Sequence, residues 1–345
     1  MRRMTPIPVL ALILLLCPQD AATAQRGAAT AIQASRGDAS VVLLSGKRRA
    51  HVLSERGDRH VVRLRRGEQL MTVEQIDGGL VAAGIRHRDG QSTLFVLQSD
   101  RSGTRRLPSL PARAPLRVRP VLLVERGELV AAAWLEGPGP RQLRVKAADW
   151  NGIDWGPVAT VSAPSPGSQT GLTGLVLEDG STLLVWSQFD GHDDDILFSW
   201  RQKTTWSDPQ RVLPNNALPD VTPSLGLSRG GAILSWSRFD GTDYRLWTAS
   251  FRRGEWQHSR LIGEPGSLFP QVINRAGATY IVYRTAVPGG WTIRRMTASG
   301  DSDRRAFVAA ASSDRPVLSS VDDTTVTLSW PQHGRKVEAR LEARP

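Results

Sequence analysis

Cysteine is almost missing from this chain: the 345 residues hold one, Cys17, inside an apolar run from Ile7 to Cys17. Everything downstream must therefore fold without disulfides, and no thiolate is on hand as nucleophile or zinc ligand. Tyrosine is scarce as well, with Tyr244, Tyr280 and Tyr283 the only three. The six histidines, His51, His60, His87, His192, His258 and His333, lack the close pairing that zinc sites use. No metal and no cofactor is expected. Long apolar stretches are absent too. Ile7 to Cys17 is far short of the roughly twenty residues that cross a bilayer core, so no transmembrane anchor is expected. Beyond that run no segment keeps a helical period. The turns "GLTGL" and "SRGGA" lead into no helix and cradle no phosphate.

The opening residues do carry a pattern. "MRRM", the apolar run and "ATA" at Ala22 to Ala24 have the three-part grammar of a secretory signal, with cleavage after Ala24. The expectation is a secreted or periplasmic protein. Cys17 follows Leu16 and precedes Pro18 where a lipidation site wants small residues, so it is not read as a lipid anchor. Residues 25–40 are small, polar and without period, and read as a loose leader. Residues 41–345 read as a single domain, since no Gly/Ser tract divides them and their length suffices for a core without disulfide staples.

What that domain has in quantity is repetition. "VWSQFDGHDD" from Val185 and "SWSRFDGTDY" from Ser235 are near copies, and aligning on their tryptophans finds Trp134, Trp186, Trp236, Tyr283 and Trp330 at steps of 52, 50, 47 and 47. Ile85 holds the same place one unit upstream. A proline lies 13 or 14 residues ahead of the ring at Pro120, Pro223, Pro270 and Pro316, and a second tryptophan 20 or 21 residues after it at Trp155, Trp206 and Trp256. The segments between these marks, such as "STLLVW", "GAILSW" and "TYIVY", are short, β-rich and bounded by turn residues. A self-similar unit of about fifty residues with four short strands is a propeller blade. The sequence thus predicts an all-β, six-bladed β-propeller of four-stranded antiparallel blades. Its last unit lacks room for a fourth strand, and the spare segment "RHVVRLR" (Arg59 to Arg65) is expected to complete that blade and close the ring. The repeated ring is expected to pack between neighbouring blades.

In this architecture the chain resembles the sialidase-like β-propellers, whose blades carry an Asp-box, Ser-x-Asp-x-Gly-x-x-Trp. The matching turns here, "DWNGIDWGPV", "RQKTTWSDPQ" and "FRRGEWQHSR", keep the tryptophan and lose most of the box, which implies a degenerate member. Catalytic sialidases grip a carboxylate with three arginines and use a tyrosine nucleophile paired with a glutamate. "RVRP" at Arg117 to Pro120 and "DRP" at Asp314 to Pro316 are not proper matches to the family's arginine motif, so the activity is not carried over. A divergent sialidase-type glycoside hydrolase, with Glu136, Asp190 or Asp240 as its carboxylates, is the alternative that the resemblance implies.

The charge is lopsided. Residues 1–150 carry 24 Lys and Arg against 13 Asp and Glu, while residues 151–345 are balanced at 20 and 20, so the formal excess of +11 lies in the first part. It bunches between Gly46 and Gly67 and between Arg101 and Arg119, a field that draws anions to one side. Loops joining second to third strands, and blade to blade, should open on one face. That face would present Arg86, His87, Glu136, Gln188, Asp190, Arg238, Asp240, Tyr283, Arg284, Gln332 and His333, with Arg119 and Arg315 from the inter-blade loops. Arginines converging there would take a carboxylate or sulfate; the alternative is loop charges paired with nearby aspartates. The acidic run "FDGHDDDILF" (Phe189 to Phe198) departs from EF-hand spacing and reads as a solvated turn. The functional expectation is a non-catalytic binding module for an acidic glycan, an envelope polyanion or an envelope protein. Nucleic acid is not an expected partner of a secreted chain, and the sequence does not speak to oligomeric state.

Overall fold

The computed structural model describes residues 30–33, 40–43, 49–53, 59–88, 91–110, 112, 119–139, 142–162, 167, 169–214, 216–275, 278–285, 290–296, 304–308, 317–321, 325–332 and 335–342, with side chains described only within 60–294. Two hairpins come first: β1 (Thr30–Gln33) pairs with β2 (Ser40–Leu43), and β3 (Arg49–Leu53) with β4 (Arg59–Arg63). β1 is thus a paired strand inside the stretch expected to be a loose leader.

Then come five antiparallel sheets of four or five strands, the blades of a ring-shaped β-propeller. The first holds β5 (Glu68–Ile76), β6 (Gly79–Arg88), β7 (Gln91–Asp100) and β8 (Gly103–Arg106). The second holds β9 (Val121–Glu125), β10 (Glu128–Glu136), β11 (Arg144–Asp149) and β12 (Ala159–Thr160). In the third, β13 (Gln169–Val176), β14 (Thr182–Phe189) and β15 (Asp194–Gln202) are followed by β16 (Thr205–Trp206) and β17 (Gln210–Arg211), both paired to β15. The fourth holds β18 (Asp220–Ser228), β19 (Gly231–Phe239), β20 (Tyr244–Arg252) and β21 (Glu255–Leu261). The fifth holds β22 (Leu268–Arg275), β23 (Ala278–Thr285), β24 (Gly290–Met296) and β25 (Arg304–Val308). A three-stranded sheet of β26 (Val317–Val321), β27 (Thr325–Gln332) and β28 (Arg335–Glu342) follows.

Two expectations are corrected here. The described residues form five blades, not six, because the last repeat unit makes only a three-stranded sheet. Nor does the segment from Arg59 complete that sheet. It pairs with β3 across five intervening residues and lies against β7 and β8 of the first blade. Local pairing costs less loop-closure entropy than a partner about 270 residues away. It is β1 and β2 that approach β26.

Within the ring the first strand of each blade packs on the first strand of the next, from β5 to β9, β13, β18 and β22. The apolar cores lie in the seams between blades. Trp134 packs with Val81, Ile85 and Val96 of the first blade, Trp186 with Leu123 and Val145 of the second, and Trp236 with Val185 and Phe198 of the third. Trp134, Trp186, Trp236 and Tyr283 are all fully buried. The repeated ring is therefore the peg that each blade drives into its neighbour, burying an aromatic's 150–250 Å² or so per seam. β4 adds one more seam, with Val62 and Leu64 against Leu70, Val73 and Phe95.

The first strands share a second device. Four of the five are bulged near their start, between Leu70 and Thr72, Thr170 and Thr173, Val221 and Ser224, and Leu268 and Gln271, while in the second blade the irregularity falls on β10, between Leu129 and Ala131. At the bulge Gly171, Thr222 and Phe269 take left-handed φ values of 59°, 55° and 56°. Thr222 and Phe269 each precede one of the repeated prolines, Pro223 and Pro270. A proline lacks the N–H a ladder needs, and a bulge on an edge strand is where it is tolerated. The bend sets off the residues before it, Asp220 in the fourth blade among them, on the loop face.

Candidate functional site

On that face the aromatic pegs keep a polar handle. Trp134 Nε1 donates to Glu136 at 3.0 Å, Trp186 Nε1 to Gln188 at 3.2 Å, Trp236 Nε1 to Asp220 at 2.8 Å, and the Tyr283 hydroxyl to Glu264 at 3.1 Å. Gln188 in turn accepts from Gln169, whose side-chain oxygen accepts from Ser162. These polar residues complete the packing of rings that are otherwise surrounded by hydrocarbon.

Of the predicted face residues, Arg238, Asp240 and Arg119 are engaged by neighbouring groups. Arg238 stacks over Trp247, 4.9 Å from the ring centroid, and lies 3.8 Å from Asp220. Asp240 is exposed, receives the turn N–H groups of Thr242 and Asp243, and is ion-paired with Arg245 at 2.6 Å. Those N–H groups, with Arg245, hold its carboxyl below the usual range. Arg119 points into the β5–β9 seam, donates to Thr72, and is lowered by burial against the opposing pull of Glu74. Arg86 is half-buried with an unpartnered Nε, Glu136 is half-buried, and Arg284 is exposed. Tyr283, spent on Glu264 and without solvent exposure, is not placed as a nucleophile. Arg315 and His333 lie outside the described residues, and Gln332 is described in its backbone alone.

Sequence reasoning missed a polar seam between the third and fourth blades. Asp194 and Asp220 are each 3% exposed. Burial, with Asp193 and Asp195 nearby, pushes Asp194 up to about 6. Burial likewise raises Asp220 to about 6, against the pull of Arg238 and the hydrogen bonds from Trp236 and Asn216. Tyr244, whose buried hydroxyl has no hydrogen-bond partner, is pushed up to about 12 by burial and by these two carboxyls. Perturbed carboxyls are candidates for acid–base work, but both of these are packed away from solvent. The signal was present as the triplet Asp193 to Asp195, since three consecutive acids starting a strand must send at least one inward.

That triplet is also where the solvated-turn expectation fails. Asp193, Asp194 and Asp195 are all buried, and the side chains of Asp190, Asp193 and Asp195 bring one oxygen each within 4.8 Å of one another. Arg211, on the extra strand β17, reaches Asp195 at 2.6 Å and Asp190 at 3.1 Å.

A separate cleft lies between β4 and the β7–β8 hairpin of the first blade. This cleft of about 1530 Å³ is lined by His60, Arg63, Arg65, Arg101 and Arg106, with Ser99, Ser102 and Thr104, and Asp100 is its one acidic residue. Asp100 is already committed to the Ser102 hydroxyl and the N–H groups of Ser102 and Gly103, which keep it ionised below the ordinary carboxylate range. Arg106 is tied to Glu68 at 2.9 Å and lies over Phe95. The two basic stretches of the sequence thus meet in one cleft.

The fold defines a five-bladed β-propeller. By sequence the chain matches no protein-family profile and no curated protein. By structure it is similar to a protein of unknown function from Dyadobacter fermentans (TM-score 0.54, 12% identity, covering 80% of this chain and 94% of that one). It is also similar to the polysaccharide lyase Uly1 (0.53, 10%, 93% and 88%) and to the fucose-specific lectin from Aleuria aurantia (0.51, 11%, 81% and 93%). At such identities the likeness is of fold alone. None of these relatives is a sialidase, and with five blades in place of six the resemblance to sialidase-like propellers is withdrawn. Among the described residues no helix is long and apolar enough to cross a membrane.

Proposed function

We propose that this propeller is a secreted or periplasmic, non-catalytic binding protein for an acidic glycan or a related envelope polyanion, taken up in the cleft between β4 and the β7–β8 hairpin. The observation that carries the reading is the lining of that cleft: basic groups from two separate stretches of chain, with a single acid that is already satisfied. Guanidinium forks match carboxylate and sulfate oxygens, and several along one groove suit a polymer bearing an anion on each repeat. The low-dielectric walls focus the field of the basic sector onto the ligand. A non-catalytic role is favoured because the three carboxyls with raised pKa, those of Asp193, Asp194 and Asp220, are all buried.

The test is retention of the purified chain on heparin and on uronate-bearing glycans, with and without Arg63→Ala/Arg65→Ala/Arg101→Ala. These three line the cleft and are exposed. The expected result is elution at clearly lower salt for the triple variant, with folding unchanged. Equal retention of both proteins, or salt-insensitive capture of one envelope protein, would overturn the reading.

A further inference from the structure

We infer that the turn from Asp190 to Asp195 is a calcium site. Its basis is Asp193. That side chain is 5% exposed, both of its carboxylate oxygens lack a hydrogen-bond partner, and it shares a compact cluster with Asp190 and Asp195. Two oxygens bound to one Ca²⁺ at about 2.4 Å can stand at most about 4.8 Å apart. The three carboxylates meet that limit as they stand.

Hydrogen bonds already made in the turn leave the cluster with unspent charge. Asp190 Oδ1 accepts the N–H groups of His192 and Asp193, and Arg211 bridges Asp190 and Asp195 through one oxygen of each. One guanidinium thus faces three carboxylates, with Asp194 adjoining and exposed His192 the remaining titratable group of the turn. A buried carboxylate with no donor among like charges is expensive unless a cation completes it. Hard oxygen donors on a turn, with exposed Gly191 and His192 beside them leaving room for water ligands, favour calcium over softer metals.

The chain supplies its own control. Asp240 to Arg245 is the same turn one blade on, with the same pair of N–H groups on Asp240 Oδ1. There the residue equivalent to Asp195 is Arg245, which pairs with Asp240, and the equivalent of Asp193, Asp243, is exposed. The fourth blade carries a built-in cation where the third carries an acid.

The experiment is calcium titration of the full chain after chelator treatment, read by calorimetry and by thermal midpoint, on the wild type, Asp193→Asn and Arg211→Gln. Calcium should raise the wild-type midpoint and leave that of Asp193→Asn unmoved. Arg211 is 42% exposed, so Arg211→Gln should fold, and losing the competing charge should tighten calcium about tenfold. No calcium response in the wild type overturns the site, as does an undiminished response in Asp193→Asn or an unchanged or weakened affinity in Arg211→Gln. An equal response to magnesium would overturn the choice of calcium.

Discussion

Trp236 donates its indole N–H to Asp220 across 2.8 Å, from the second strand of the fourth blade to the bulged start of its first. The bond joins the residue that repeats in the sequence to one that does not. The ring is the structural peg of the seam, and the carboxylate beneath it is held in place by that ring, by Asn216 at 3.3 Å and by Arg238. A buried carboxylate depends on each donor it keeps.

Trp236→Phe keeps an aromatic in the seam and removes the donor. Trp186→Phe makes the same change where the acceptor is the neutral amide of Gln188. Both lose similar volume, so their difference reports on the hydrogen bond. Trp236→Phe should be the more destabilising by about 1–2 kcal/mol, measured by denaturant unfolding with unchanged slope.

The same carboxyl should give the protein a pH signature. Its folded pKa near 6 lies above its ordinary value of 3.8, so between these values the folded state binds more protons than the unfolded state. Stability is then fullest at the acid end and falls as pH rises from about 4 to about 6, by no more than about 3 kcal/mol. Asp220→Asn should remove this carboxyl's share of the slope from the curve of thermal midpoint against pH, recorded in chelator, and leave the share of Asp194, which is likewise raised to about 6. Below the ordinary carboxylate range the slope should reverse, as Asp100 and Asp240, both held low by turn N–H groups, take up protons.

Gly84 stands in β6 where any side chain would collide. A Cβ there would sit 2.0 Å from the carbonyl oxygen of Gln69 and 2.8 Å from the Phe95 ring. Gly84→Ala should cost about 3 kcal/mol or more, since backbone on the adjoining strand must move. Gly78, with φ +73° and open space about it, should cost only about 1 kcal/mol on the same change. Comparative thermal unfolding separates them.

Reversing one cleft charge should act mainly on ligand capture. Arg101→Glu, on the exposed β7–β8 turn, is expected to slow association with a sulfated oligosaccharide more at low salt than at high salt, while the thermal midpoint stays within a degree or two. Stopped-flow fluorescence at two ionic strengths reads this directly.

The blades were legible because their signal is repeated. Trp134, Trp186, Trp236 and Tyr283 recur at near-constant steps, and each proves to be a buried peg between blades. Blade count was not legible in the same way, since the period shows where a unit could be and not how many strands it completes. Trp330 keeps the spacing, yet its unit pairs only three strands. Ring closure failed as a reading because "RHVVRLR" alternates equally well for any partner, and the nearest one, "RAHVL", pairs with it. For the candidate sites, charge clustering pointed to the basic sector, while only the fold could bring β4 beside the β7–β8 turn. The acidic turn was misread because spacing alone says nothing about which aspartates a strand start will bury.

The bulges that open the inner strands bear on solubility. An innermost strand is an edge, with backbone donors and acceptors unpaired along the central channel, and such an edge invites a visiting strand from another molecule. In the fourth and fifth blades a left-handed residue followed by proline breaks that row of groups at its entrance. The hole through the disc is thereby a poor template for β-addition, and a high local concentration of this protein need not seed aggregation from its centre.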